Sequence, residues 1–386
     1  MPPDGELRSW LLVHRLPGIG PAAIAAILDG FDSPADYLAA TEAAREARGL
    51  DPAIVRAPRQ AARVQAGVEA DYQWYRAGAE RHVITLADTR YPAALRDIPD
   101  PPGVLFVRGD PEALATPQLG IVGSRNATPG GLHSAGDFAA HLAASGLTIT
   151  SGLALGIDAE AHQGALAAGG QTVAVMATGP DRLYPREHAA LATQITKAGA
   201  LVSEMPTGTA VNRGLFPRRN RLISGLSLGV LVVEAGRRSG ALGTAHQAVE
   251  QGREVMAIPG SIHNPVAKGC HQLIREGARL VEKADDVIEE IRKLPEGWMM
   301  TTAEAAATGA GDDGPADAPA ETALDADYMA LLEAMGYDPI GFETLAERTS
   351  LTPDILSSML LSLELTGHVA PCNGGHYMRI SNRAGG

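Results

Sequence analysis

Leu119-Gly120-Ile121-Val122-Gly123-Ser124-Arg125-Asn126-Ala127-Thr128 passes from a short apolar run straight into a polar turn that carries a glycine. Beyond Gly130 the chain returns Ala135, Phe138, Ala139 and Leu142, the three- and four-residue spacing of a helix with one buried stripe. Strand, tight polar turn and amphipathic helix in that order predict one unit of a parallel sheet covered by helices. The alternation continues from residue 81 to 293, with strands expected at 83–86, 104–107, 119–122, 147–150, 172–176, 200–203, 229–233, 254–258 and 279–281. Helices fill the gaps.

The predicted fold class is α/β: an extended Rossmann-like parallel-sheet domain over residues 77–294, flanked by two helical units. Residues 1–76 read as short helices, and Leu16-Pro17-Gly18-Ile19-Gly20 resembles the turn of a helix-hairpin-helix, or SAM-like, domain. Glycines there allow a tight bend with free N–H groups at a helix start. Residues 295–327 are dominated by Ala, Gly, Asp, Thr and Pro, a composition that buries too little apolar surface to order itself, and are expected to be a flexible acidic linker. Residues 328–386 resemble a winged helix, with helices at 328–335, 342–347 and 353–366 and a wing near Val369 and 377–380. Its third helix holds Asp354 and Glu364 and no Lys or Arg, which argues against groove reading.

At 386 residues the chain is long enough for two or three domains. It has only two cysteines, Cys270 and Cys372, far apart, so neither a disulfide framework nor a zinc site is indicated. With no leader-like start and no long apolar run, a cytoplasmic protein that does not enter a membrane is expected. The formal net charge of -13 would exclude a nucleic-acid binder if it were spread evenly. It is not: the linker holds eight acids and no cation, while no acid lies between Glu204 and Glu234, where Arg213, Arg218, Arg219 and Arg221 cluster.

Four polar segments each follow an expected strand, and the carboxyl ends of such strands open into one crevice. The first is Gly123-Ser124-Arg125-Asn126-Ala127-Thr128; the second is Ser151-Gly152-Leu153-Ala154-Leu155-Gly156-Ile157-Asp158, which opens a helix. Phe216-Pro217-Arg218-Arg219-Asn220-Arg221 sets three guanidinium groups beside a ring, the means by which single strands are held without sequence preference. Arg237-Arg238-Ser239-Gly240-Ala241-Leu242-Gly243-Thr244 is a phosphate cradle by type. The arginines are read as an exposed patch whose joint replacement would spare the fold. Asp158 and His162, four apart, suit a helix start and a polar cavity better than acid–base chemistry.

These segments resemble the DNA-processing protein A family (DprA, also called Smf), over residues 91–282. Further matching text is Ala161-His162-Gln163-Gly164-Ala165-Leu166, Ile258-Pro259-Gly260 and Leu273-Ile274-Arg275-Glu276-Gly277-Ala278. The resemblance implies a homodimer that binds and protects single-stranded DNA and promotes loading of the RecA recombinase during natural transformation, with no cofactor and no catalytic reaction. It carries Arg125 and Arg218, Arg219, Asn220 and Arg221 over as DNA contacts. Gly123, Ser124, Ser151, Gly152, Phe216, Ser239, Gly240 and Thr244 would form the pocket. Two positions depart: Gly130 stands where the family tends to have a tyrosine, and Gly269-Cys270-His271 replaces Gly-Cys-Asn. The alternative is a nucleoside-monophosphate phosphoribohydrolase of related fold, marked by Pro-Gly-Gly-x-Gly-Thr-x-x-Glu; Gln247 occupies the glutamate position here. A dinucleotide enzyme would need Gly-x-Gly-x-x-Gly after its first strand, which residues 123–128 do not supply.

Overall fold

The computed structural model describes residues 4–294, 325–336, 339–372 and 374–380. All nine expected strands form, each within about two residues of its predicted limits: β1 (Arg81–Thr85), β2 (Val104–Gly109), β3 (Gln118–Val122), β4 (Thr148–Ser151), β5 (Thr172–Val175), β6 (Gly199–Ser203), β7 (Gly229–Val232), β8 (Glu254–Ala257) and β9 (Arg279–Leu280). They make one sheet in the order β1-β2-β6-β5-β4-β3-β7-β8-β9. Seven of them pair in parallel, and all of these but the exposed edge strand β9 are largely buried, as expected for a sheet covered on both faces. The β1–β2 and β2–β6 pairs are antiparallel, so the sheet is mixed at one edge.

That edge carries the N-terminal helical unit. Trp10, Leu11, Ile27 and Tyr37 share a core with Val83, Val104 and Phe106 of β1 and β2. Arg15 grips the buried Asp71 carboxylate, which also accepts the Thr207 N–H and hydroxyl at 2.8 Å each, tying the helices to the loop after β6. Gly18 takes a φ of +81, as the hairpin turn requires.

β3 lies between β4 and β7. The chain first winds outward through β4 and β5, then returns to the opposite side of β3 as β7. The order of winding therefore reverses between β3 and β7, and their carboxyl ends flank an open crevice.

At the C-terminus, helices Ala326–Met335, Phe342–Thr349 and Pro353–Leu365 enclose Leu331, Leu345, Leu356 and Leu360, with a three-stranded wing of β10 (Ile340–Gly341), β11 (Val369–Cys372) and β12 (His376–Arg379). This is the expected winged helix. Of the expected linker, residues 295–324 lie outside the described residues. The wing rests on the helix Pro129–Ala144. A Cβ at Gly130 would lie 2.3 Å from Met378 Cε, so the missing side chain is the space the methionine fills. Among the described residues no helix is long and apolar enough to cross a membrane.

Candidate nucleic-acid interface

The crevice is an open cavity of about 480 Å³. Segments that follow β3, β4, β6 and β7 converge on it, as the sequence suggests. Gly123, Ser124, Arg125, Phe216, Arg219, Asn220, Ser239, Gly240 and Thr244 all line it.

The loop after β3 is fixed by its backbone. Ser124 N–H donates to Glu234 O at 2.7 Å, and Ile157 N–H donates to Ser124 O at 3.2 Å. Gly156 backs it at φ +78, where a Cβ would lie 2.3 Å from Ser124 O. At the loop's far end Thr128 caps the helix Pro129–Ala144, and its hydroxyl and N–H donate to the buried Glu234 carboxylate at 2.7 and 2.8 Å. Burial raises the pKa of Glu234 above the usual carboxylate range. Arg125, held by neither contact, extends with its guanidinium 5.0 Å over the Phe216 ring.

The opposite wall is the start of the helix Gly240–Glu250. Ser239 is its N-cap, accepting the Ala241 N–H at 3.3 Å, so the first-turn N–H groups and the positive end of the helix dipole face the crevice. The Asn220 amide reaches Gly240 O at 3.4 Å and links the two walls.

The arginine run needs correction. Residues 215–226 form a helix, Leu215–Leu226, so neighbours in sequence point in different directions. Phe216, Arg219, Asn220 and Ile223 share the crevice face. Arg218 and Arg221 turn to the other side, where Arg221 grips the buried Glu204 and sits 3.1 Å from Asp100, and Arg218 lies 3.9 Å from Glu204. Arg219 and Arg221 are only 5 % exposed, so the expected solvated patch is two buried clamps and one surface cation. The acid-free stretch was real, but folding brings Glu204 to it.

Arg219 forms the crevice floor. Its guanidinium donates to Gly152 O and, at 2.7 Å, to Val175 O, joining the carboxyl ends of β4 and β5. Gly152 therefore lies beside the site as the clamp's anchor, and a Cβ there would overlap the guanidinium. Beside it Asp158 accepts the Gly152 N–H at 3.1 Å and the Ala154 N–H at 3.4 Å. Burial pushes the Asp158 carboxyl up, against the pull of Arg219 and the two amides. Ser151 does not reach the crevice; it is buried and donates to Ile121 O at 2.6 Å, holding β4 to β3. His162 is buried with Nδ1 2.7 Å from Thr172 Oγ1, and burial lowers its pKa to about 3, the neutral core histidine the sequence suggested.

Two lining residues lie in segments the sequence singled out but were not carried over as contacts, and one neighbouring ring was missed altogether. Arg238, directly before the N-cap, and Asn126 both line the crevice. Tyr184, 44 % exposed, stands 6.0 Å from Phe216 ring to ring. Arg238 had a signal in its place beside Ser239; Tyr184, on the loop after β5, had none. Gln247 and Glu250 stand outside the crevice, hydrogen-bonded to each other at 3.3 Å. Among the described residues no group of three His, Cys, Asp or Glu could hold a metal ion.

An open crevice at the winding reversal of an α/β sheet, lined by a helix start, polar loops and arginines, defines a doubly wound α/β protein with its candidate site at the strand ends. The chain belongs to the DNA recombination-mediator protein A family: that family's model matches residues 82–292, and the DprA winged helix domain matches residues 315–375. Protein Smf of Escherichia coli is 41% identical over 300 residues, covering 78% of this chain and 77% of that protein. The X-ray structure of DNA processing protein A from Streptococcus pneumoniae superposes with a TM-score of 0.64 at 34% identity, covering 73% of this chain and 97% of that one. DNA processing protein A from Helicobacter pylori, whose structure is described by its single-stranded DNA binding mode, matches with a TM-score of 0.50 at 28% identity, over 55% of this chain and 96% of that one.

Proposed function

We propose that this protein binds and protects single-stranded DNA in the crevice between β3 and β7, without catalysis, and hands it to the RecA recombinase as a cytoplasmic homodimer serving natural transformation. One observation carries the DNA reading: Arg125, Arg219, Arg238 and the N-terminus of Gly240–Glu250 meet in one open crevice, where the one acid among the described lining residues, Asp158, has an oxygen committed to loop amides. Cations and N–H donors around a continuous channel neutralise a backbone without reading base edges, which is how single strands are bound irrespective of sequence. The helicobacterial relative's binding mode supports the choice of ligand. Delivery to RecA and pairing of two copies are carried over from the family resemblance.

A gel-shift comparison of single-stranded and duplex DNA of equal length tests the reading, with a nucleoside-monophosphate hydrolysis assay on the same preparation. Single strands are expected to bind tighter, with no free base released. Equal binding of duplex would remove the single-strand reading; base release abolished by Glu250→Gln would revive the hydrolase.

A further inference from the structure

We infer that Tyr184, rather than Phe216, is the ring on which a base of the bound strand stacks, with Phe216 and Arg125 forming the support beneath it. The inference rests on the single-strand reading of the crevice and adds the part that holds the bases. Phe216 has both neighbours already in place. The Arg125 guanidinium lies 5.0 Å over its ring, and the Tyr184 ring centre lies 6.0 Å away at 56° between planes. That separation is direct ring-to-ring contact, so no base slides between the two. Tyr184 is 44 % exposed and keeps an open face.

The path from phosphate to ring is continuous. Arg125, Ala154, Phe216 and Arg219 line both the main crevice and a small apolar niche whose far wall is Tyr184 and Pro185. A strand with a phosphate at Ser124 and Arg125 therefore meets Tyr184 next. Past Tyr184 opens a groove of about 730 Å³ with the exposed Val211 on its wall. Its lining charges balance, Arg182 and Arg186 against Asp181 and Glu187, and Arg182 lies 3.9 Å from Asp181. With no net positive charge the groove does not gather phosphate, and what it offers a strand is apolar and aromatic surface.

The test compares binding of the full-length protein to an oligothymidylate and to an abasic deoxyribose-phosphate strand of equal length, which has the same phosphates and no bases. Wild type is expected to prefer the oligothymidylate about tenfold, the effect of one stacked base. Tyr184→Ala is expected to abolish the preference with affinity for the abasic strand unchanged, which also reports an intact fold, and Tyr184→Phe to retain it. A preference that survives in Tyr184→Ala, or is missing in wild type, overturns the inference and leaves the single-strand reading standing. Wild type that binds neither strand overturns that reading, and the stacking with it.

Discussion

Replacing Arg219 with alanine should damage the fold, whereas the same change at its neighbour Arg218 should not. Arg219 is 5 % exposed and its guanidinium holds Gly152 O, Val175 O and the Asn220 amide oxygen while facing the buried Asp158. Alanine leaves two strand-end carbonyls without these donors and a buried carboxylate without its cation. Removing one partner of a buried pair costs about 3–5 kcal/mol, a large part of the roughly 5–15 kcal/mol that holds a domain together. For a sheet domain of about 210 residues at about 2–4 °C per kcal/mol, the melting midpoint should fall by roughly 10 °C. The Arg218 side chain is 53% exposed and 3.9 Å from Glu204. Its loss should stay within about 0.5 kcal/mol. Thermal denaturation of Arg219→Ala, Arg218→Ala and wild type, followed by circular dichroism, gives the comparison. An Arg219→Ala protein that melts with wild type would refute the clamp and restore the surface-patch view of these arginines.

The remaining expectations concern pH, the loop and salt. His162, held near a pKa of about 3, refuses a proton that the unfolded chain accepts below its ordinary 6.5. Folded stability is therefore lost as pH falls through that window, and His162→Gln should flatten the slope of stability against pH by about 1.4 kcal/mol per unit, measured by urea midpoints between pH 6 and about 4. An unchanged slope would show that the ring charges in the fold. Gly156→Ala forces a side chain to φ +78 against Ser124 O, and should cost about 1–3 kcal/mol and weaken single-strand binding by shifting Arg125. Wild-type stability and affinity together would mean the loop is not seated there. Affinity for single strands should fall with salt, and Arg125→Ala should reduce the log–log slope by about 0.7, the share of one phosphate contact; an equal slope would remove Arg125 from the contact set.

The sheet was legible because its strands are short β-branched runs bounded by glycine and polar turns, as at 119–122 and 229–233. The reversed direction of β2 was not, since a run such as Val104-Leu105-Phe106-Val107 reads alike in either sense. The crevice was legible as four loops at strand ends. Which side chains enter it depended on helical phase: reading 216–221 as a linear array merged the crevice face, with Arg219, and the Glu204 face, with Arg218 and Arg221. Glu204 stands 17 positions before Arg221, just past β6, so only the return of this helix to the end of β6 makes the pair. Tyr184 was hidden for a similar reason: a lone tyrosine in a loop has no pattern until Phe216 is placed beside it.

Met378 fills the space over Gly130, so the size of the side chain at 130 bears on how the wing sits. In a relative whose residue at this position is a tyrosine, the ring would compete for the space that this protein gives to a methionine from the other end of the chain. A chimera that joins this winged helix to such a relative's sheet domain would push the wing off its seat, and the exchange should succeed when the tyrosine is changed to glycine with it. In designing hybrids, residues 130 and 378 are therefore best moved together.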